Sequence, residues 1–116
     1  MRKLKFKAWH KKEGKMLPPK SLAQISTLGE FEPTLNFDDL EWLQFTGLLD
    51  KSGKEIYEGD IAKDEKMGIS EIEFFNASFT VSKVHFVIGK ERANHMKVIG
   101  NIYENKELLK GVKNFS

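Results

Sequence analysis

The sequence lacks cysteine and long hydrophobic runs, and both absences exclude classes of protein. None of the 116 residues is cysteine, which excludes a disulfide framework and thiolate chemistry and fits a reducing cytoplasm. No apolar run approaches the ~20 residues that a membrane-spanning helix needs. The N-terminal segment, MRKLKFKAWHKK, is charged and has no apolar core, so it is not a signal peptide. We therefore expect a cytoplasmic protein with no membrane partner.

Catalytic and cofactor motifs are missing as well. The three histidines, His10, His85 and His95, lie far apart, and none forms a pair with metal-ligand spacing. The glycines of the central segment are spaced by six residues and no G-K-[S/T] follows them, unlike a phosphate-binding or dinucleotide loop. No serine or threonine lies in a nucleophile elbow. The sequence predicts no catalytic residue, no cofactor and no small-molecule substrate.

The densest acidic group is Glu55, Glu58 and Asp60, which is the remaining candidate for a metal site or for acid–base chemistry. Glu58 and Asp60 flank Gly59 in a predicted turn, where Asp60 is placed to accept backbone N–H groups and Glu58 to face solvent. We therefore interpret these acids as turn residues and predict no metal site. An enzyme is the third functional alternative, and it is disfavoured.

Charge is distributed unevenly along the chain, although its net value is only +2. Residues 1–20 contain eight Lys or Arg and one acid, whereas residues 23–50 contain six acids and no base. The basic end therefore meets the acidic segment, in the same chain or in a neighbouring one, or it meets an external anion such as nucleic acid.

The basic N-terminal segment has the period of a β-strand. Leu4, Phe6 and Ala8 alternate with lysines, which predicts a half-buried strand with a basic outer face. A turn follows at residues 12–15, and Pro18–Pro19 is expected to stop the return strand, because proline cannot donate to a ladder. Lysines beside exposed aromatic rings can track a phosphate backbone and stack bases. The candidate contacts for nucleic acid or a protein partner are Lys3, Lys5, Lys7, Trp9, Lys11 and Lys12.

Two turns close together organise the centre of the chain. Asp50 to Gly53 separates two apolar segments, and Gly53 is expected to adopt a positive φ, which costs glycine little. Gly59 marks the second turn. The two turns and the apolar residues between them predict a compact structural nucleus.

Residues 20–43 are expected to form an irregular insertion that wraps the core. Gly29 and Pro33 break any long helix in this segment. Asp38–Asp39 is expected to cap a short turn that leads into Leu40–Leu43.

The C-terminal half contains the strongest strand signals. Phe79–Ile88 has no Gly or Pro and is apolar on both faces, which predicts one strand that is central or lies at a subunit contact. Gly89–His95 is expected to be a charged loop. Met96–Tyr103 is predicted as the last strand, with Gly100 marking a bulge or a close backbone approach. Asn105 is expected to cap a short C-terminal helix.

Short strands at close spacing with little helix predict a mostly β fold. The predicted architecture is a small bent sheet or open barrel with an N-terminal hairpin, an irregular insertion and a short C-terminal helix. We interpret the chain as a single domain, in which residues 1–19 form the hairpin, residues 20–43 the insertion, and residues 44–116 the barrel core with its helix.

Five segments spread along the chain carry a recognisable pattern: Lys5–Trp9, Gln44–Leu48, Asp50–Lys51, Gly53–Ile61 and Val98–Asn105. Together they resemble the YopX family of phage and prophage proteins. His10 and Lys106 depart from the pattern, since the family often has Asp and Pro there. The resemblance implies a phage or prophage origin and brings no established activity with it.

We therefore interpret the protein as an accessory protein of phage type, a non-enzymatic binding or assembly module in the host cytoplasm. Self-association into a homo-oligomer is the first hypothesis, because the basic end and the acidic insertion are complementary and Phe79–Ile88 is apolar on both faces. Nucleic-acid binding through the basic strand is the alternative.

Overall fold

The computed structural model of the protein describes residues 4–26, 35–75, 77–82 and 86–110. Nine β-strands contain just over half of these described residues, and the helices among them are short. The prediction of a mostly β fold is confirmed.

The chain divides into two compact units, and the first is Met1–Phe45. The elements that begin in it are β1 (Lys5–His10), β2 (Lys15–Ser21), α1 (Leu22–Ser26), a 3₁₀ helix (Phe37–Asp39) and β3 (Leu40–Leu49). β1 and β2 form the predicted N-terminal hairpin, and β1 also pairs antiparallel with β3. β1 is therefore an inner strand with β2 on its outer side.

The second unit is Thr46–Ser116, and the last part of β3 belongs to it. Its further elements are β4 (Glu55–Tyr57), β5 (Asp60–Asp64), β6 (Gly68–Phe75), β7 (Ser78–Val81), β8 (Phe86–Val87), α2 (Lys90–Ala93), β9 (Met96–Asn101) and a 3₁₀ helix (Lys106–Leu109). The sheets have the strand orders β2-β1-β3-β4 and β8-β7-β6-β5-β9. Within the described residues the five-stranded sheet ends at β8 and β9 and does not close, in agreement with the predicted small bent sheet or open barrel.

The core of the second unit collects apolar side chains from its sheet, from β4 and from α2. Burying one such side chain contributes about 1.5–3 kcal/mol to stability, so the cluster is the main source of stability in this unit. Its buried members are Ile56, Ala62, Ile72, Phe79, Val81, Ile88, Ala93, Met96 and Val98.

Pro18–Pro19 does not stop the return strand, because β2 runs through both prolines. The prediction is wrong because β2 is an edge strand, where a missing N–H on the outer side breaks no ladder. The register between β1 and β2 also shifts between Phe6 and Ala8, so that the two exposed prolines oppose Lys7 alone. A bulge at the sheet edge accommodates them.

The described residues of the predicted insertion, 20–26 and 35–43, lie mostly in β2, α1, the 3₁₀ helix and β3; residues 27–34 lie outside the described residues. A short turn leads into Leu40–Leu43, as predicted: it is the 3₁₀ helix Phe37–Asp39, after which Leu40 and Leu43 are buried in β3. The preceding 3₁₀ helix is capped by Asn36, whose Oδ1 accepts a hydrogen bond from the backbone N–H of Asp38 at 3.0 Å. The predicted aspartate caps are therefore wrong.

Phe79–Ile88 is not one strand but a hairpin, in which β7 and β8 pair antiparallel. Residues 83–85 lie outside the described residues. Phe79 and Ile88 enter the same buried core, and the N–H of Ile88 donates to the carbonyl of Phe79 at 3.0 Å. The prediction is wrong because apolar residues on both faces also suit a chain that reverses and fills one core from both arms.

The prediction for Gly100 is confirmed in both of its forms. The register of β5 against β9 shifts beside this residue, which is the mark of a bulge. A Cβ at Gly100 would lie 2.6 Å from Oδ1 of Asn105, so the backbone approach is close. Asn105 lies at the predicted N-cap position of the C-terminal 3₁₀ helix, but its side chain makes no capping bond, because its Oδ1 accepts from the N–H of Asn101 at 3.2 Å.

The segment Gly89–His95 contains α2 and is not simply a charged loop. Four residues are too short to show a helical period, and Ala93, which is fully buried, anchors the helix on the core. No helix in the described ranges is long and apolar enough to cross a membrane.

Candidate functional site

The central turn, Asp50–Gly53, is held by one buried carboxylate. Asp50 is only 3% exposed, and its Oδ1 accepts from the backbone N–H groups of Ser52 and Lys54, each at 2.9 Å. The Ser52 hydroxyl donates to the same oxygen at 2.8 Å. Oδ2 accepts from the N–H of Val98 at 2.8 Å. One side chain therefore closes the turn and fastens it to β9.

These hydrogen bonds decide the protonation state of Asp50. Burial by itself raises the pKa of an aspartate, but the bonds from Val98, Lys54 and Ser52 outweigh it and hold the pKa of Asp50 below its ordinary value. The D-K-S-G pattern signals the turn in the sequence. It gives no sign of the bond to Val98, which lies 48 positions away.

The second turn follows the prediction closely. Gly53 and Gly59 have φ angles of +85° and +86°, which confirms both glycine turns. The Oδ2 of Asp60 accepts from the backbone N–H of Tyr57 at 2.7 Å, as predicted. Asp60 is buried, so its carboxylate is committed to holding the turn.

The other two acids of this group are partly buried. Tyr57 donates its hydroxyl to Oε1 of Glu55 at 3.0 Å, and burial, followed by this bond, raises the pKa of Tyr57. Glu58 is half-buried, so its predicted full exposure is wrong. Within the described ranges, no three His, Cys, Asp or Glu side chains are grouped so that they could hold a metal ion.

The basic hairpin, residues 5–20, carries five of the six residues predicted to contact a partner; Lys3 lies outside the described residues. Lys5, Lys7 and Trp9 share one face of β1, and all three are half-buried. The Lys5 ammonium lies 5.3 Å from the ring centroid of Phe45, in a cation–π contact. The predicted basic face is therefore partly covered.

The remaining two lysines, Lys11 and Lys12, are exposed in the turn of the basic hairpin. Glu13, the acid of this turn, lies close to two basic side chains: its Oε2 is 3.5 Å from Nε2 of the buried His10 and 3.4 Å from Nζ of Lys15. The N–H of Glu13 donates to Nδ1 of His10 at 3.1 Å. His10 thus has a structural role, and the exposed positive charge concentrates at Lys11 and Lys12.

The basic N-terminal segment and the acidic segment lie next to each other within one chain. β1 pairs with β3, so that Trp9 lies opposite Glu41 in the acidic segment. The backbone N–H of Lys11 also donates to the carbonyl of Asp39 at 2.8 Å. The basic end and the acidic segment are therefore neighbours in the same chain.

A cleft of about 450 Å³ opens beside α2 in the second unit, and its described lining is predominantly basic. Its lining residues are Lys66, Val87, Gly89, Lys90, Glu91, Arg92 and His95. No motif in the sequence indicates this cleft, because the β5–β6 turn lies well before β8 and α2 in the chain and meets them only in the fold.

One ion pair and one histidine–carboxylate contact support the wall of this cleft. Nε of Arg92 lies 2.9 Å from Oδ2 of Asp64, whose Oδ1 accepts from the N–H of Lys66 at 2.7 Å. Nδ1 of His95 lies 3.2 Å from Oε2 of Glu65, and this contact, followed by the charge of Lys51, lowers the pKa of Glu65. The two carboxylates hold α2 and the residues after it against the β5–β6 turn.

Comparisons with known proteins give matches over nearly the whole chain. The family model for YopX protein matches residues 5–110. The crystal structure of protein EF1440 from Enterococcus faecalis is similar, with a TM-score of 0.69 and 23% identity over 95% of this chain and 100% of that chain. At this identity the likeness shows the fold alone. No curated protein matches the sequence. Because the matched residues run from β1 to the C-terminal 3₁₀ helix and include both central turns, the chain belongs to the YopX family.

Proposed function

We propose that this protein is a non-enzymatic binding module whose basic hairpin contacts the phosphate backbone of a nucleic acid. The observation that carries the proposal is the exposure of Lys11 and Lys12 at the tip of the hairpin, where Glu13 already lies against His10 and Lys15. Exposed lysines on a projecting turn can neutralise phosphates and release their counterions.

A binding function is preferred to a catalytic one because the buried acids already form hydrogen bonds or an ion pair that stabilise the fold. Asp50 and Asp60 accept backbone hydrogen bonds in the two central turns. Asp64 accepts from the β5–β6 turn and pairs with Arg92. A catalytic carboxylate needs a lone pair or proton that faces a substrate, and these three are committed elsewhere.

Self-association is the second candidate. Its two sequence arguments are accounted for within one chain, since β1 pairs with β3 and Phe79–Ile88 folds back into its own core. The observation that still favours it is a pair of exposed leucines, Leu4 and Leu22, at 46% and 55% exposure, which border the paired ends of β1 and β2. A second copy that covered these leucines would bury apolar surface.

The setting of the protein is also part of the proposal. The family resemblance supports a phage or prophage accessory protein that works in the host cytoplasm. The absence of cysteine from the sequence fits that compartment.

Size-exclusion chromatography with light scattering, with and without single-stranded and duplex oligonucleotides, separates the two candidates. The proposal expects a monomer that co-elutes with the oligonucleotide, and the double variant Lys11→Glu/Lys12→Glu should lose co-elution. Lys63→Glu/Lys97→Glu is the matched control, because these exposed lysines are opposite each other on β5 and β9. A dimer that does not co-elute with either oligonucleotide would support self-association and overturn the proposal.

A further inference from the structure

The cleft beside α2 has the features of a small-molecule site. We propose that it binds a phosphomonoester, with the phosphate group held by Arg92, Lys90 and Lys66 and the organic part against Val87. The proposal goes beyond the nucleic-acid function of the basic hairpin, since all the lining residues belong to the second unit.

The first argument is the charge of the cleft. Among the described residues, Arg92, Lys90 and Lys66 line it together with a single acid, Glu91. Lys66 and Lys90 are exposed and take part in no ion pair with any described residue. Their charges are therefore available to an anion. A phosphomonoester carries close to two negative charges at neutral pH, which three cations and one acid complement.

The second argument is the state of the Arg92 guanidinium. Its Nε faces Asp64 at 2.9 Å, which fixes one side of the group. Its Nε, its Nη2 and the facing Oδ2 of Asp64 are buried and form no hydrogen bond within the part of the chain that the structure describes, so Asp64 neutralises the guanidinium without satisfying its donors. A buried donor without an acceptor is costly, and a phosphate oxygen is the acceptor that the guanidinium fork fits best.

The third argument is the size and shape of the cleft. A volume of about 450 Å³ is far larger than a bare phosphate and lies within the range of small-molecule sites. Val87 is 58% exposed and supplies an apolar wall. A Cβ added at Gly89 would meet no atom within 4 Å, so this side of the cleft is open. The site therefore suits a phosphate joined to an organic group.

Titration of the amide chemical shifts by NMR tests the proposal, with adenosine 5′-monophosphate, inorganic phosphate, adenosine and succinate as probes. The monophosphate should shift and saturate the signals of residues 89–95, inorganic phosphate should shift them more weakly, and adenosine should not shift them. Equal shifts with adenosine and its monophosphate would overturn the assignment, because the phosphate would then contribute nothing. Equal shifts with succinate would overturn the choice of phosphate.

Substitutions then assign the contacts. Lys90→Gln and Lys66→Gln should each raise the Kd about tenfold, as expected for the loss of a charge-assisted contact. Lys63→Gln, an exposed lysine on β5 outside the lining, should leave the Kd unchanged. An equal loss in Lys63→Gln and Lys90→Gln would mean a general charge effect and would contradict the site.

Two further variants test the geometry. Arg92→Lys keeps the charge but removes the fork and should raise the Kd by at least about tenfold. Gly89→Val narrows the cleft without changing any charge and should also weaken binding. If Arg92→Lys fails to fold, Gly89→Val tests the site alone, and an unchanged Kd in Gly89→Val would contradict binding in this cleft. Lys11→Glu/Lys12→Glu should bind the monophosphate with an unchanged Kd, which would show that this site is distinct from the basic hairpin.

Discussion

The central turn and the turn of the basic hairpin share a glycine with a positive φ, but their charged side chains differ in burial. Each contains a glycine in the left-handed region, Gly53 at φ +85° and Gly14 at φ +65°. In the central turn Asp50 is buried and accepts four hydrogen bonds. In the other, Lys11 and Lys12 are exposed. A buried charge with hydrogen-bond partners, such as Asp50, therefore stabilises the fold. Exposed charges, such as those of Lys11 and Lys12, remain available to bind a partner.

The largest effect should come from Asp50→Ala. The substitution leaves the N–H groups of Ser52 and Lys54 and the buried N–H of Val98 without their acceptor, which should lower the free energy of unfolding by on the order of 4 kcal/mol. Denaturant unfolding measures the loss. Asp38→Ala is the control, since Asp38 is an exposed acid in the first unit, and it should change little. Equal losses in the two variants would remove the distinction between buried and exposed charge.

A smaller loss is expected from Gly53→Val. A β-branched residue at positive φ should cost about 1–3 kcal/mol, and thermal melting would show it. A Cβ at Gly53 meets no atom within 4 Å, so the cost is conformational and not steric. Gly89→Val is the matched control: its surroundings are equally open, but its φ is −121°. If both valines were tolerated equally, backbone strain would not explain the central turn.

The third effect concerns pH and has opposite signs at two acids. The pKa of Asp50 is lowered, so its contribution to stability is present above the ordinary value of 3.8 and is lost as the pH falls. The pKa of the half-buried Glu71 is raised, first by burial and then by Glu73, so its contribution is present below 4.5 and is lost as the pH rises.

Two single variants measured across pH sharpen that contrast. Glu71→Gln should become more stable relative to the wild type as the pH rises above 4.5. Asp50→Asn should lose the part of the acid sensitivity below pH 3.8 that Asp50 contributes in the wild type. Parallel stability curves for either variant and the wild type would show that the acid in question does not titrate differently on folding.

The smallest effect on stability should come from Lys11→Glu/Lys12→Glu. Both side chains are exposed, so the free energy of unfolding should change by no more than about 0.5 kcal/mol. Reversal at Lys5 and Lys7 is a poorer test, because both lysines are half-buried on β1. A melting temperature that fell as far as in Asp50→Ala would show that the hairpin lysines are structural.

The features that could be predicted from the sequence are local. A glycine after a short polar run announces a positive φ, and the alternation of Phe6 and Ala8 with lysines announces β1. Both depend on neighbours in the chain. The Gly100 bulge belongs to the same class, because an isolated glycine in a strand pattern is itself the signal.

The features that could not be predicted depend on partners far away in the chain. Apolar residues on both arms of Phe79–Ile88 satisfy a long strand and a hairpin equally well, and only the shared core decides between them. Pro18–Pro19 is tolerated because β2 lies at an edge, a position that the sequence does not show. The basic cleft needs Arg92 to meet Asp64, which follows from the packing of α2 and not from any motif.

The salt dependence of oligonucleotide affinity tests the central claim most directly. It should be measured for the wild type, for Lys11→Glu/Lys12→Glu and for Lys63→Glu/Lys97→Glu with one single-stranded oligonucleotide. The account predicts that the slope of log K against log salt falls by about 1.4 in the hairpin variant, for two lost phosphate contacts, and stays unchanged in the control. Equal slopes in all three proteins, or no binding by the wild type, would contradict it.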